Sequence, residues 1–336
     1  MADRDDCPEP ARPDQAGHGR RVYAWWAVGL GLLAALGLFC WLFLKPFLET
    51  RAALAELAKV PRSSMLSRDD GKFEEALLAT IGRLGGERRA IRRLGLYTRM
   101  PERLAPEQGL AVELLGRCGP GAVPEILRVA RHHDAQVRAK AMNGLSRLRP
   151  DTSEAVAVLA TGLKDPSEIV RGNAGYALRA LGDNHSRHAR EALPALVAAL
   201  DDPDPGVRYG AAMALHKVEV PPAAIPGLVR ALKDQSMYYH GGIDSANDGS
   251  LRAAAAYALG RLGPQAREAT PDLTGLLGDK ALNARWAAAW SLGEIGPDAK
   301  AAIPELEECL KRPDESWVHS AAAEALRKIR GEAPAK

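Results

Sequence analysis

Apolar residues recur along most of this chain at the three- and four-residue spacing of a helix face. The pattern comes in pairs. A short stretch such as AIPGLVRALKD (224–234), ATPDLTGLLGD (269–279) or AIPELEECLKR (302–312) is followed by a turn. A longer helix comes next: LRAAAAYALGRLGP (251–264), ARWAAAWSLGEIGP (284–297) and VHSAAAEALRKIRG (318–331). One Leu of the longer helix serves as a ruler, at Leu115, Leu145, Leu178, Leu215, Leu259, Leu292 and Leu326. Seven helical hairpins therefore tile residues 87–331, the fifth carrying a 12-residue insertion within 235–250. Residues 72–84 predict one amphipathic capping helix.

The punctuation agrees. Pro124, Pro194, Pro226, Pro271 and Pro304 fall in the first turn of the shorter helix, where the missing N–H has no helical partner. Gly-Pro closes longer helices at Gly119-Pro120, Gly263-Pro264 and Gly296-Pro297. A single hairpin cannot bury its apolar face, but stacked copies can. The expectation is an all-α protein, an α-solenoid of about seven hairpins over residues 72–331, with a short tail at 332–336.

A different pattern precedes the array. Residues 22–44 form an uncharged apolar run of 23 residues, flanked by Arg20 and Arg21 on one side and Lys45 on the other. As a helix it is about 34 Å long, enough for a hydrocarbon layer of about 30 Å. Trp25, Trp26, Trp41 and Phe43 lie near its ends, as interfaces favour. It reads as a retained signal anchor behind a disordered tail (1–21), followed by a juxtamembrane stalk (45–71). Arg20 and Arg21 orient the N-terminus inward. The expected location is the bacterial inner membrane, single-pass, with the lipid bilayer contacted through 22–44 and the repeats extracytoplasmic.

Composition sharpens this. Hydrophobic residues are 46% of the chain but aromatics only 5%, so the core rests on Ala, Leu and Val, which suits close helix packing. Four cysteines in 336 residues exclude a disulfide framework. A net charge of +3 gives no case for a general nucleic-acid binder, and no specific nucleic acid is expected.

The pattern A-I-P-x-L-x-x-x-L-x-D-x-x-x-x-V-R-x-x-A-A-x-A-L-G-x-I-G-P resembles HEAT repeats, most of all the short phycobilisome-lyase-type HEAT-like repeats. The resemblance covers about 250 residues and implies a binding scaffold more than an enzyme. It also implies a structural ladder: Arg138, Arg171, Arg208, Arg252 and Arg285 open successive longer helices, with His319 last. Asp165, Asp202 and Asp279 stand six residues before their Arg, placed to serve the turn while the Arg bridges copies.

Counting from the apolar residue before each of these Arg (or His319), at 100° per residue, positions +4, +7 and +8 form the core stripe and positions +2 and +6 face away. There stand Tyr176, Tyr209, Tyr257, Trp286 and Trp290. The family resemblance puts these helices on the concave side of the solenoid. The five rings are the candidate site for a protein or peptide partner, with extended core packing as the competing reading. Tyr238 and Tyr239 of the insertion are candidate edge contacts.

Other candidates read as structural or solvated: Asp183, His185 and His188 in DNHSRH, His132-His133, and the Arg-rich stretch from Arg83 to Arg103. No catalytic motif and no His-Glu dipeptide occurs, so neither enzyme activity nor a cofactor or metal is expected. The alternative is a lyase-like or DNA-repair-like HEAT enzyme acting in the same groove.

Overall fold

The computed structural model describes residues 35–60, 70–103, 106–183, 186–236, 251–312 and 316–332. The chain divides into two units, Met1–Thr50 and Arg51–Lys336. In the first, residues 35–39 are α-helical and Cys40–Leu44 form a π-helical turn, with the Phe39 and Phe43 rings 5.5 Å apart. Helix α1 covers Lys45–Ala58, so the stalk expected from Lys45 onward is in large part helical. Most of the segment 22–44 lies outside the described residues. Among the described residues no helix is long and apolar enough to cross a membrane. The single-pass inner-membrane location is corrected on this finding, which also gives the signal anchor and the lipid contact no support.

The second unit contains the repeats. The expected capping helix is α2 (Asp70–Arg83). Seven pairs follow: α3 (Glu87–Tyr97) with α4 (Gln108–Leu115), α5 (Val123–Val129) with α6 (Ala135–Leu148), and α7 (Ser153–Gly162) with α8 (Glu168–Asp183). Then come α9 (Leu193–Ala199) with α10 (Pro205–Val218), and α11 (Ile225–Leu232) with α12 (Leu251–Leu262). The last are α13 (Thr270–Leu276) with α14 (Leu282–Ile295), and α15 (Ile303–Cys309) with α16 (Ser316–Arg330). Within each pair the first (A) helix packs on the second (B) helix, and each B helix packs on the next along the array. There is no strand among the described residues.

Local chemistry sets the boundaries. All five predicted prolines stand in the first turn of α5, α9, α11, α13 and α15, each behind a 3-10 turn that sequence patterning did not anticipate. Asp204 caps α10, its Oδ1 accepting from the Val207 N–H at 2.9 Å. Gly263 and Gly296 take φ of 58° and 73° at the ends of α12 and α14, a region that favours glycine.

Small residues let the B helices meet closely. A Cβ placed on Gly116 would lie 3.1 Å from the Gly144 Cα, and one on Gly175 would lie 3.3 Å from the Gly210 Cα. One on Gly293 would lie 2.9 Å from the Ala325 Cα. Side chains such as Ala174, Ala177, Ala255, Ala258, Ala288 and Ala289 are fully buried between layers. The shortage of aromatics follows from this geometry.

The ladder forms as the family resemblance implies. The Arg138 guanidinium donates to both carboxylate oxygens of Asp165 at 2.7 and 2.8 Å. Arg171 does the same to Asp202 at 2.7 and 3.0 Å, and Arg252 to Asp279 at 2.7 and 3.0 Å. Each Asp also accepts from a backbone N–H in its own turn: Asp165 from Ser167, Asp202 from Asp204, Asp279 from Ala281. The third guanidinium nitrogen of Arg171 donates to the carbonyls of Asp165 and Pro166. Each Arg thus ties its own turn to the next repeat. A fourth rung joins Arg208 to Asp234 at 2.6 Å. Sequence spacing missed it because the insertion moves Asp234 from six to 18 residues before its Arg. Burial alone would raise the carboxyls of Asp165, Asp234 and Asp279, but hydrogen bonds and nearby guanidinium charge outweigh it and hold all three below the usual range.

Candidate functional site

The five aromatics singled out by the helical wheel lie on α8, α10, α12 and α14, four consecutive B helices. Each is half-buried, neither sealed in the core nor fully exposed. Tyr176 and Tyr209 face each other across α8 and α10 with centroids 6.3 Å apart and planes tilted 55°. Tyr257 lies 5.3 Å from Trp286 and 5.9 Å from Trp290, tilted by 47° and 48°. One helical turn separates Trp286 and Trp290 on α14, and their planes are parallel within 2° at 6.4 Å. Rings on neighbouring helices meet because position +2 of one B helix approaches position +6 of another.

His216 adds a ring to the second group, and the sequence reading overlooked it. It sits on α10 seven residues after Tyr209, hence on the same face, and its ring lies 5.5 Å from that of Tyr257. The available signal was its position, +9, which falls at about 180° on the same wheel. Burial, and then the charges of Lys217 and Arg261, lower the proton affinity of His216. Its Nδ1 is buried without a hydrogen-bond partner. The result is a line of rings: Tyr176, Tyr209, His216, Tyr257, Trp286 and Trp290.

The line is tied to the packing beneath it. A Cβ on Gly260 would stand 2.5 Å from Cζ3 of Trp290 and 2.8 Å from Oγ of Ser291, so that glycine seats the indole. The buried Ser291 hydroxyl lies 2.7 Å from the carbonyl of Ala256 on α12 and also 2.7 Å from that of Ala287 on its own helix.

The other sequence candidates are engaged elsewhere or lie outside. Tyr238, Tyr239 and His185 are outside the described residues. Asp183 pairs with Lys217 at 3.2 Å, and Nδ1 of His188 with Glu191 at 2.7 Å. His132 accepts from the Asp134 N–H, serving the turn before α6. Cys118 is a buried free thiol, and Cys309 is buried as well. Among the described residues no group of three or more His, Cys, Asp or Glu side chains is placed to hold a metal ion. Hollows of about 170 and about 380 Å³ occur elsewhere, and no ring of the line borders either.

Comparison with known proteins agrees with the architecture. A family model described as HEAT repeats matches residues 105–179, 174–239 and 242–327. A search of curated proteins returns no match. Among solved structures, an engineered protein is similar at 21% identity and a TM-score of 0.51, over 62% of this chain and 98% of its own. A second engineered protein is similar at 22% identity and a TM-score of 0.50, over 62% and 96%. A designed armadillo repeat protein, solved in complex with the peptide (KR)4, is similar at 22% identity and a TM-score of 0.50, over 62% and 99%.

Proposed function

The chain belongs to the HEAT-repeat family, and we propose that it is a non-enzymatic scaffold whose working part, residues 72–331, holds a protein or peptide segment along the aromatic line of its B helices. One observation carries this reading. In a chain with few aromatics outside its N-terminal segment, five of them stand half-buried in line across four consecutive repeats. Core packing needs no such line, because Ala and Leu fill the layers elsewhere. Tyr and Trp offer rigid apolar area with a polar edge, and they dominate binding hot spots. The designed armadillo protein of similar fold was solved in complex with the peptide (KR)4. On sequence grounds Tyr238 and Tyr239 join the reading as contacts from the edge of the array.

The test is peptide-display selection on the immobilised full chain, repeated with a Trp286→Ala/Trp290→Ala variant. Selected peptides should bind the variant at least about 30-fold more weakly, the loss of one hot spot, with far-UV circular dichroism unchanged. Loss of helix together with binding would mean that the rings are core.

A further inference from the structure

The charge beside the aromatic line points to the kind of segment it takes, an inference that rests on the scaffold reading above. Position +10 of each B helix lies one turn beyond +6, so the two columns are surface neighbours. Five of the seven +10 residues are basic: Arg117, Arg147, Lys217, Arg261 and Lys328. Some are neutralised internally. Arg117 stands 3.8 Å from Glu113, a carboxylate it shares with Lys140 at 3.0 Å, and Lys328 stands 2.8 Å from Glu294, the one acidic member of the column. Lys217 shares the single carboxylate of Asp183 with Arg179, at 3.2 and 3.7 Å, which leaves one positive charge in excess. Arg147 and Arg261 are exposed and make no ion pair among the described residues. The centre of the column, alongside Tyr176 to Trp290, is therefore net positive. The effect of Lys217 and Arg261 on His216 places that charge next to the rings.

We propose that the line takes an acidic peptide segment. Its carboxylates would pair with Arg147, Lys217 and Arg261, and its apolar side chains would lie against Tyr257, Trp286 and Trp290. Arg147 and Arg261 each present a planar fork that can hold one carboxylate through two hydrogen bonds. A protein segment fits better than a nucleic acid. Bases stack on free ring faces, whereas Tyr176, Tyr209, Tyr257 and the two indoles are half-buried. The tyrosines are also tilted about 50° against rings 5–6 Å away. Rings tilted in this way do not form a row of stacking platforms.

Fluorescence anisotropy on the full chain tests this with three labelled dodecapeptides of repeating Asp-Leu-Glu-Phe, Asn-Leu-Gln-Phe and Lys-Leu-Lys-Phe, and with a single-stranded dodecathymidylate. The acidic peptide should bind at least about tenfold tighter than the other three. It should weaken about tenfold between roughly 50 and 300 mM salt and about tenfold again in Arg147→Glu/Arg261→Glu. Both arginines are exposed, so that variant should keep its circular dichroism. Equal or tighter binding of the basic peptide or the oligonucleotide overturns the inference. So does acidic-peptide binding that ignores the charge reversal. Binding of the neutral or basic peptide that Trp286→Ala/Trp290→Ala abolishes would overturn the acidic preference and leave the scaffold reading standing. If no probe binds, both fall.

Discussion

Arg171 of one repeat grips the carboxylate of Asp202 in the next through two hydrogen bonds, at 2.7 and 3.0 Å, with both side chains 10–14% exposed. So little water reaches the pair that removing one member strands the other. Asp202→Ala should lower the unfolding free energy by about 3 kcal/mol, read from urea titrations of helical circular dichroism. Arg171→Lys keeps the charge but loses the fork, and should recover only part of that loss.

The ladder predicts acid sensitivity. The native carboxyls of Asp165, Asp234 and Asp279 are held below their ordinary value. A group with a depressed native pKa contributes stability that is complete above its unfolded value, about 3.9, and fades as pH falls through the lowered native value. The midpoint of thermal unfolding should therefore stay level down to about pH 5 and drop steeply below pH 4. Asp279→Asn should unfold more easily at neutral pH and lose less on acidification.

The seat beneath Trp290 predicts a coupled effect. Gly260→Ala forces a methyl group against the indole and the Ser291 hydroxyl. It should cost about 2 kcal/mol and shift the tryptophan emission maximum to the red as Trp290 is pushed toward solvent. A stability change with unaltered emission would place the strain elsewhere.

Cys118 is buried, and burial, with the nearby Glu87 charge, pushes its thiol up to about 12. The nucleophile is the thiolate, so Ellman's reagent at pH 8 should react with Cys118 only as fast as its repeat opens. The same rate should appear in hydrogen exchange of α4. Immediate labelling would contradict the packing around α4.

Much of this molecule was legible in the sequence because solenoid physics repeats. Pro124 and its four counterparts mark helix starts, the seven leucines set the spacing, and Arg171 with Asp165 and Asp202 announces the ladder. What escaped were features that depend on tertiary contacts. The insertion hid the tie between Arg208 and Asp234, which no fixed spacing reveals. His216 enters the aromatic line through a neighbouring helix, and Gly260 gains its role only from Trp290 on the next repeat. The apolar run at 22–44 supported a membrane span by hydropathy alone. Among the described residues its last part is helix followed by a π-turn, with no helix of spanning length.

Finally, the ladder is directional. Each rung reaches forward to the following repeat. The last hairpin carries His319 where the five hairpins before it carry arginine, and the His319 Nε2 is buried without a hydrogen-bond partner. An array built this way has a fast end and a slow end. Peeling should begin at α16 and move toward the N-terminus, so that partial proteolysis leaves a nested series of fragments sharing one start. Whatever holds the C-terminal hairpin in place thereby gains leverage over the indoles of α14, two helices away.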